Sequence, residues 1–150
     1  MEINEYIDFV RSFDYMAGIA RDKTRKDTTQ EYFTSTDFVN EVLDKIEDNK
    51  PELFFDKTKT FIDNAAGDGQ FLTEVIVRKL QKSKCTLLEA LSTTYGVELM
   101  PDNVVICKKR LVGPNPTQEL IDIVNKNIVC ANALEYDYSF GEPSGIERWC

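Results

Sequence analysis

Residues 61–71, Phe-Ile-Asp-Asn-Ala-Ala-Gly-Asp-Gly-Gln-Phe, bring together a carboxylate, two glycines separated by one residue, and the start of a helical pattern. The chemistry open to such a stretch is the holding of a ligand. Gly67 and Gly69 allow positive φ and a close backbone approach. A helix beginning there offers unpaired N–H groups, and Asp63 offers a carboxylate to a cationic group. A turn that uses glycine only for its geometry reads the same way, so the stretch needs a second one to give it meaning. Residues 94–103, Thr-Tyr-Gly-Val-Glu-Leu-Met-Pro-Asp-Asn, supply it. Residues 95–97 can form a strand with Glu98 at its tip, where an acidic side chain can hold the two hydroxyls of a ribose.

The patterns Asp-x-Ala-x-Gly-x-Gly-x-Phe-Leu (from Asp63) and Tyr-Gly-Val-Glu-x-x-Pro-Asp-Asn-Val-x-Ile-Cys-x-x-Arg-Leu (from Tyr95) together resemble the amino-methylating DNA methyltransferases, with N6-adenine or N4-cytosine as target. The modification subunits of restriction systems are the nearest group. The resemblance implies an α/β, Rossmann-like class I methyltransferase fold. Its sheet would be mostly parallel, here a truncated one, with helices on both faces and a helical segment at the N-terminus. It implies S-adenosylmethionine as cofactor and methyl transfer to the N6 amine of adenine in DNA. Phe33 and Thr34 match the family's N-terminal motif that covers the methionine end of the cofactor, with Ser35 where the family usually has proline. Asp63 and the backbone of Ala65, Gly67, Asp68 and Gly69 would serve that same end. Glu98 would take the ribose, and Leu99 or Met100 would pack on the adenine. Asn132, followed by Ala133, occupies the position where the family usually has an aspartate accepting from the adenine amine, and a carboxamide oxygen can accept that bond without charge.

Family members hold the target amine with an Asp/Asn-Pro-Pro-aromatic loop after a later strand, the aromatic stacking on a flipped base. Beyond Ala133 this sequence has Glu-Tyr-Asp-Tyr-Ser-Phe-Gly-Glu-Pro-Ser-Gly and no such tetrad. Asn115-Pro116 matches it in letters only. The likeness therefore spans residues 30–137, the cofactor half, and leaves the catalytic residues unknown. Three explanations stand: a partner chain that brings the loop, a catalytically empty cofactor-binding protein with a regulatory or interaction role, or an unfamiliar site using Asp137, Tyr138 or Phe140. A small-molecule or RNA methyltransferase would share the cofactor half. A nicotinamide dehydrogenase fits worse, because Leu72 stands where its third glycine belongs.

The elements that must position these residues follow from periodicity. Ile3, Tyr6, Ile7, Val10, Phe13 and Met16 predict an amphipathic helix over 3–19, followed by a polar linker over 21–30. Thr34, with Asp37 three residues on, is expected to cap a helix that buries Phe38, Val39, Val42, Leu43 and Ile46. Pro51 marks a turn. A strand over 60–63 leads through the glycines into a helix carrying Phe71, Leu72, Val75, Ile76 and Leu80. A short helix over 86–91 precedes the second strand. Another runs from Asp102-Asn103 to Leu111 and stops at Gly113-Pro114. Asn115 is expected to cap the next helix with Pro116 at its first position, and residues 128–130 form a third strand. Alternating strands and helices predict a parallel sheet. Its open edge after Cys130 suits a protein partner or a second copy.

Composition bounds the rest. A chain of 150 residues, 42% hydrophobic and 29% charged, is expected to fold as one domain. Residues 1–50 would be an N-terminal helical part and 58–137 the cofactor-binding core. The four dispersed cysteines read as reduced thiols, and without histidine a zinc site is not expected. No apolar run long enough to span a membrane is present, and the acidic start lacks a signal core, so a cytoplasmic protein is expected. The net charge of −8 opposes a strong grip on DNA. The basic groups, at 21–26 and at Lys108, Lys109 and Arg110, read as solvated helix ends. DNA is thus a weak partner for this chain alone.

Overall fold

The computed structural model describes residues 2–13 and 34–141. Helix α1 (Ile3–Arg11) buries Tyr6, Ile7 and Val10, as its spacing predicted. Met16, at the far end of the expected helix, lies outside the described residues, as do Phe33 and the basic stretch 21–26. Helix α2 (Thr36–Asn49) is capped by Ser35 and not by Thr34, since the Ser35 hydroxyl accepts from the Phe38 N–H at 3.2 Å. Its buried stripe is Val39 and Leu43, while Phe38 and Ile46 are 52% and 37% exposed. Where Pro51 predicts only a turn, it opens a single helical turn, α3 (Glu52–Phe55). Its Phe54 is fully buried and stacks on Phe61 at 5.2 Å.

Strand β1 (Phe61–Asp63) runs through the glycine turn into α4 (Gln70–Lys82). Helix α5 (Leu87–Ser92) begins with a reciprocal cap between Thr86 and Glu89, and β2 (Thr94–Glu98) follows. Helix α6 (Pro101–Leu111) has proline in its first turn, where a missing N–H costs nothing. Helix α7 (Gln118–Asn127) is capped by Thr117, whose hydroxyl accepts from the Leu120 N–H at 3.3 Å. Asn115, the expected cap, instead donates its amide to Glu5 Oε1 on α1. The chain then forms β3 (Ile128–Cys130).

The fold is α/β, with a parallel sheet in the order β1-β2-β3. Phe61 pairs with Thr94, and Gly96 with Ile128, so Phe61, Thr94, Gly96 and Ile128 share one face. Right-handed crossovers between consecutive parallel neighbours put every connecting helix on the same side. The larger core follows that rule, joining Leu72 and Ile76 of α4 to Val104 and Cys107 of α6, Val124 of α7 and Ile128. A smaller cluster of Val39, Leu43, Phe54 and Val75 packs beside Phe61. Helices were expected on both faces, yet the described ones crowd one. The opposite face carries Ile62, Tyr95, Val97 and Val129 and meets the segment after β3, where Phe140 lies 4.8 Å from the Tyr95 ring.

Buried ion pairs lock the helices together. Glu74 on α4 is 1% exposed and accepts two bonds from Arg11 of α1 and one from Asn40 of α2. Arg110 of α6 is fully buried and donates its Nε–H to the Val10 carbonyl at 2.8 Å. It is a strut to α1, which corrects its reading as a solvated helix end.

Candidate functional site

The carboxyl ends of the three strands open into a cleft of about 530 Å³, within the range that holds small organic ligands. Nine expected residues line it: Thr34, Asp63, Ala65, Gly67, Asp68, Glu98, Leu99, Asn132 and Ala133. Met100, the alternative to Leu99, lines it too. Gly69 does not. It sits behind the turn, where a Cβ would come 3.1 Å from the Cys107 Sγ of α6. Its role is to let α4 pack on α6, and its φ of +94° serves that close approach.

Glu98 organises the cleft. It is 9% exposed, and its Oε1 accepts from the Gly67 N–H at 3.2 Å. Its Oε2 accepts from the Met100 N–H at 3.1 Å and the Asn103 Nδ2 at 3.0 Å. Three bonds leave part of the carboxylate's lone-pair capacity for a ligand hydroxyl. Backbone bonds fasten the three strand ends beneath it, from Ala66 N–H to the Val97 carbonyl and from Ala131 N–H to the Glu98 carbonyl, each 3.0 Å.

Asp63 ends β1 and accepts from the Ala65 N–H at 3.0 Å. Burial, with Glu98 nearby, pushes its carboxyl above the usual carboxylate range despite that bond. Asp68 is buried beneath the turn, with Arg110 Nη1 3.9 Å away. Asn132 uses its side-chain oxygen to accept from the Leu134 N–H at 3.0 Å. A carboxamide oxygen has a second lone pair that can take another donor.

Five residues without an expected role also line the cleft: Asn64, Gln70, Phe71, Asn103 and Ala131. Asn103 is fully buried and orients Glu98 from the first turn of α6. The signal for it was its place five residues after Glu98, across a helix start. Gln70 donates its amide to the Thr34 carbonyl, tying α4 to the segment leading into α2. Nothing in the local sequence pointed to that contact.

Electrostatically the cleft is one-sided. Asp63, Asp68 and Glu98 line it, and no lysine or arginine joins them among the described residues. The open space above Gly67, where a Cβ would meet nothing within 4 Å, lets a ligand approach the backbone. Crowded carboxylates are relieved by a cationic ligand, and a strand-tip glutamate suits a ligand with hydroxyls. Among the described residues no cluster of His, Cys, Asp or Glu is placed to hold a metal. None of the described helices is long and apolar enough to cross a membrane.

Comparison with protein-family models, curated proteins and solved structures gives no significant match to the chain.

Proposed function

We propose that the cleft binds S-adenosylmethionine, and that these residues form the cofactor-holding part of a Rossmann-like, amino-methylating DNA methyltransferase of the N6-adenine type. The charge of the cleft carries this reading. Arg110 lies 3.9 Å from Asp68 but does not line the cleft, so three carboxylates against one buried guanidinium still disfavour the phosphates of a dinucleotide or nucleoside triphosphate. S-adenosylmethionine has no phosphate, and its sulfonium and ammonium outweigh its single carboxylate. In this reading Glu98 takes the ribose hydroxyls, Asp63 and the turn at Gly67 face the methionine end, and Leu99 or Met100 covers the adenine. When bound, the cofactor supplies an activated methyl group. The chain's own residues bind and orient it.

Isothermal titration of the purified chain tests this directly. Micromolar binding of S-adenosylmethionine or its demethylated product is expected, with ATP and NAD about tenfold weaker or worse, a gap of about 1.4 kcal/mol. Equal binding of ATP, or no binding of either methyl-cycle ligand, would sink the proposal. The absence of an Asp/Asn-Pro-Pro-aromatic tetrad favours a second reading, a catalytically empty S-adenosylmethionine-binding protein that regulates others through contact. Methyl transfer to DNA by a complex containing this chain separates the two.

A further inference from the structure

Glu98 divides the cleft. On one side stands the glycine turn of β1, whose Gly67 N–H reaches Glu98 Oε1. On the other stands the end of β3, fastened to β2 by the Ala131 N–H on the Glu98 carbonyl. Asn132 and Ala133 line the cleft beyond that bond. With a ribose at the strand-tip glutamate and the charged end of the ligand toward the glycine turn, the β3 wall is what remains for the base. The polar groups of that wall then decide which edge of a base it can read.

Asn132 is engaged as an acceptor by its own turn. Its main-chain carbonyl takes the N–H groups of Glu135 and Tyr136 at 3.0 and 2.9 Å. Its side-chain oxygen takes the Leu134 N–H at 3.0 Å. A backbone N–H can meet only the oxygen of a carboxamide, so this bond fixes which way the amide is turned. Tyr138 holds the same turn from behind, its hydroxyl donating to the Ala133 carbonyl at 2.7 Å. A ligand donor must share the Asn132 oxygen with Leu134, whereas the two N–H groups of Nδ2 have no competitor among the described residues. We propose that Asn132 is a specificity-determining residue that donates to a ring nitrogen of the bound purine and does not read its exocyclic amine, opposite to the acceptor role expected of that position. The purine nucleoside rests on the proposed function. The donor character of the wall rests on the turn alone.

Isothermal titration of the full chain with two ligands tests this: S-adenosylhomocysteine, and its analogue with unsubstituted purine as base, which lacks the amine and keeps every ring nitrogen. Both are electrically neutral overall, so a change of charge at residue 132 acts on them alike. Asn132→Asp keeps the oxygen that the Leu134 N–H needs and replaces the two donors with a second acceptor. The wild type is expected to bind the two ligands within about twofold of each other, a gap of about 0.4 kcal/mol. Asn132→Asp loses the ring-nitrogen bond and gains a partner for the amine, so it should prefer the amine-bearing ligand about tenfold. The ratio of the two affinities removes any general weakening, and circular dichroism confirms that the variant is folded. A folded variant that has lost both ligands supports the donor role as well. A tenfold preference for the amine in the wild type, or equal binding of both ligands by both proteins, would overturn the proposal. A wild type that binds neither ligand would remove the cofactor reading and the base contact together.

Discussion

Glu98 is placed both to receive a ligand and to hold its own surroundings together, and the two roles can be separated. Its carboxylate satisfies the N–H groups of Gly67 and Met100 and the amide of Asn103. Glu98→Ala would leave those donors unpaired in a buried place, at a cost of about 1–3 kcal/mol in unfolding free energy. Urea denaturation checks this, and unchanged stability would remove the bracing role. Glu98→Gln can keep the Met100 and Asn103 bonds at its one oxygen but turns an NH2 toward the Gly67 N–H, so it should recover only part of that loss while S-adenosylmethionine affinity falls. Asp63 gives a pH signature. Its carboxyl is raised by burial first and by Glu98 second, so the folded chain binds that proton more readily than the unfolded one. The ligand-free protein therefore gains stability relative to Asp63→Asn as pH falls from neutral, until the ordinary carboxylate value is passed. Binding of a cation needs the ionised form, so affinity should fall over the upper part of the same window and become flat in Asp63→Asn. Titrations at several pH values decide it. Both carboxylates were legible in the sequence because strand-tip positions need only a strand and a turn to define them. Asn103 was not, because its value comes from a neighbour that tertiary structure brings close. The turn at Asn132 was legible as well, because an asparagine just after a strand is a common turn residue, and its oxygen does accept from the Leu134 N–H.

Glycines at the element ends sort by what surrounds them. At Gly67 the space around a Cβ is open, and only the φ of +57° resists a side chain. Gly67→Ala should therefore cost about 1 kcal/mol, the usual strain of a left-handed non-glycine residue. Gly96→Ala is the harsher change. On β2 its Cβ would lie 2.8 Å from Leu72 Cδ1 and 3.1 Å from Ile128 Cδ1, and such overpacking costs about 1–3 kcal/mol. Thermal melts should rank Gly96→Ala below Gly67→Ala, and the reverse order would contradict this account of the sheet–helix contact. At the other end of the strands, Lys79 of α4 is buried, donates to the Lys59 carbonyl and the Thr93 hydroxyl, and lies 5.2 Å from the centre of the Phe61 ring. Burial lowers its pKa to about 8. The unfolded chain then holds the proton more tightly, so stability should rise between pH 8 and the ordinary lysine value, by about 3 kcal/mol at most. Lys79→Met should flatten that rise in denaturation curves taken across the range. Element types were readable from periodicity, while caps slipped. Ser35 and Thr117 took the places expected of Thr34 and Asn115, because several hydroxyl and amide residues adjoin each helix start and only the backbone turn chooses among them.

At the scale of the molecule, sequence alternation foretold parallel strands but not their one-sidedness. Helices on both faces require the strand order to reverse, and the order here runs straight from β1 to β3. That leaves one face of the sheet to Tyr95, Ile62 and the segment around Phe140, and among the described residues no strand pairs with the outer edge of β1. A protein that neutralises DNA phosphates needs a basic surface, and one carrying −8 has the opposite field. Of the basic residues that a sequence scan would offer to DNA, Arg110 is spent inside the fold on α1. The isolated chain should therefore bind duplex DNA more weakly than the usual non-specific range of about 10⁻⁴–10⁻⁶ M at physiological salt. Fluorescence anisotropy with a labelled duplex, repeated over a salt series, measures this. A steep loss of affinity with rising salt would reveal several phosphate contacts and contradict the charge argument. A flat, near-zero signal would mean that these residues, with their net charge of −8, bring no grip on DNA of their own.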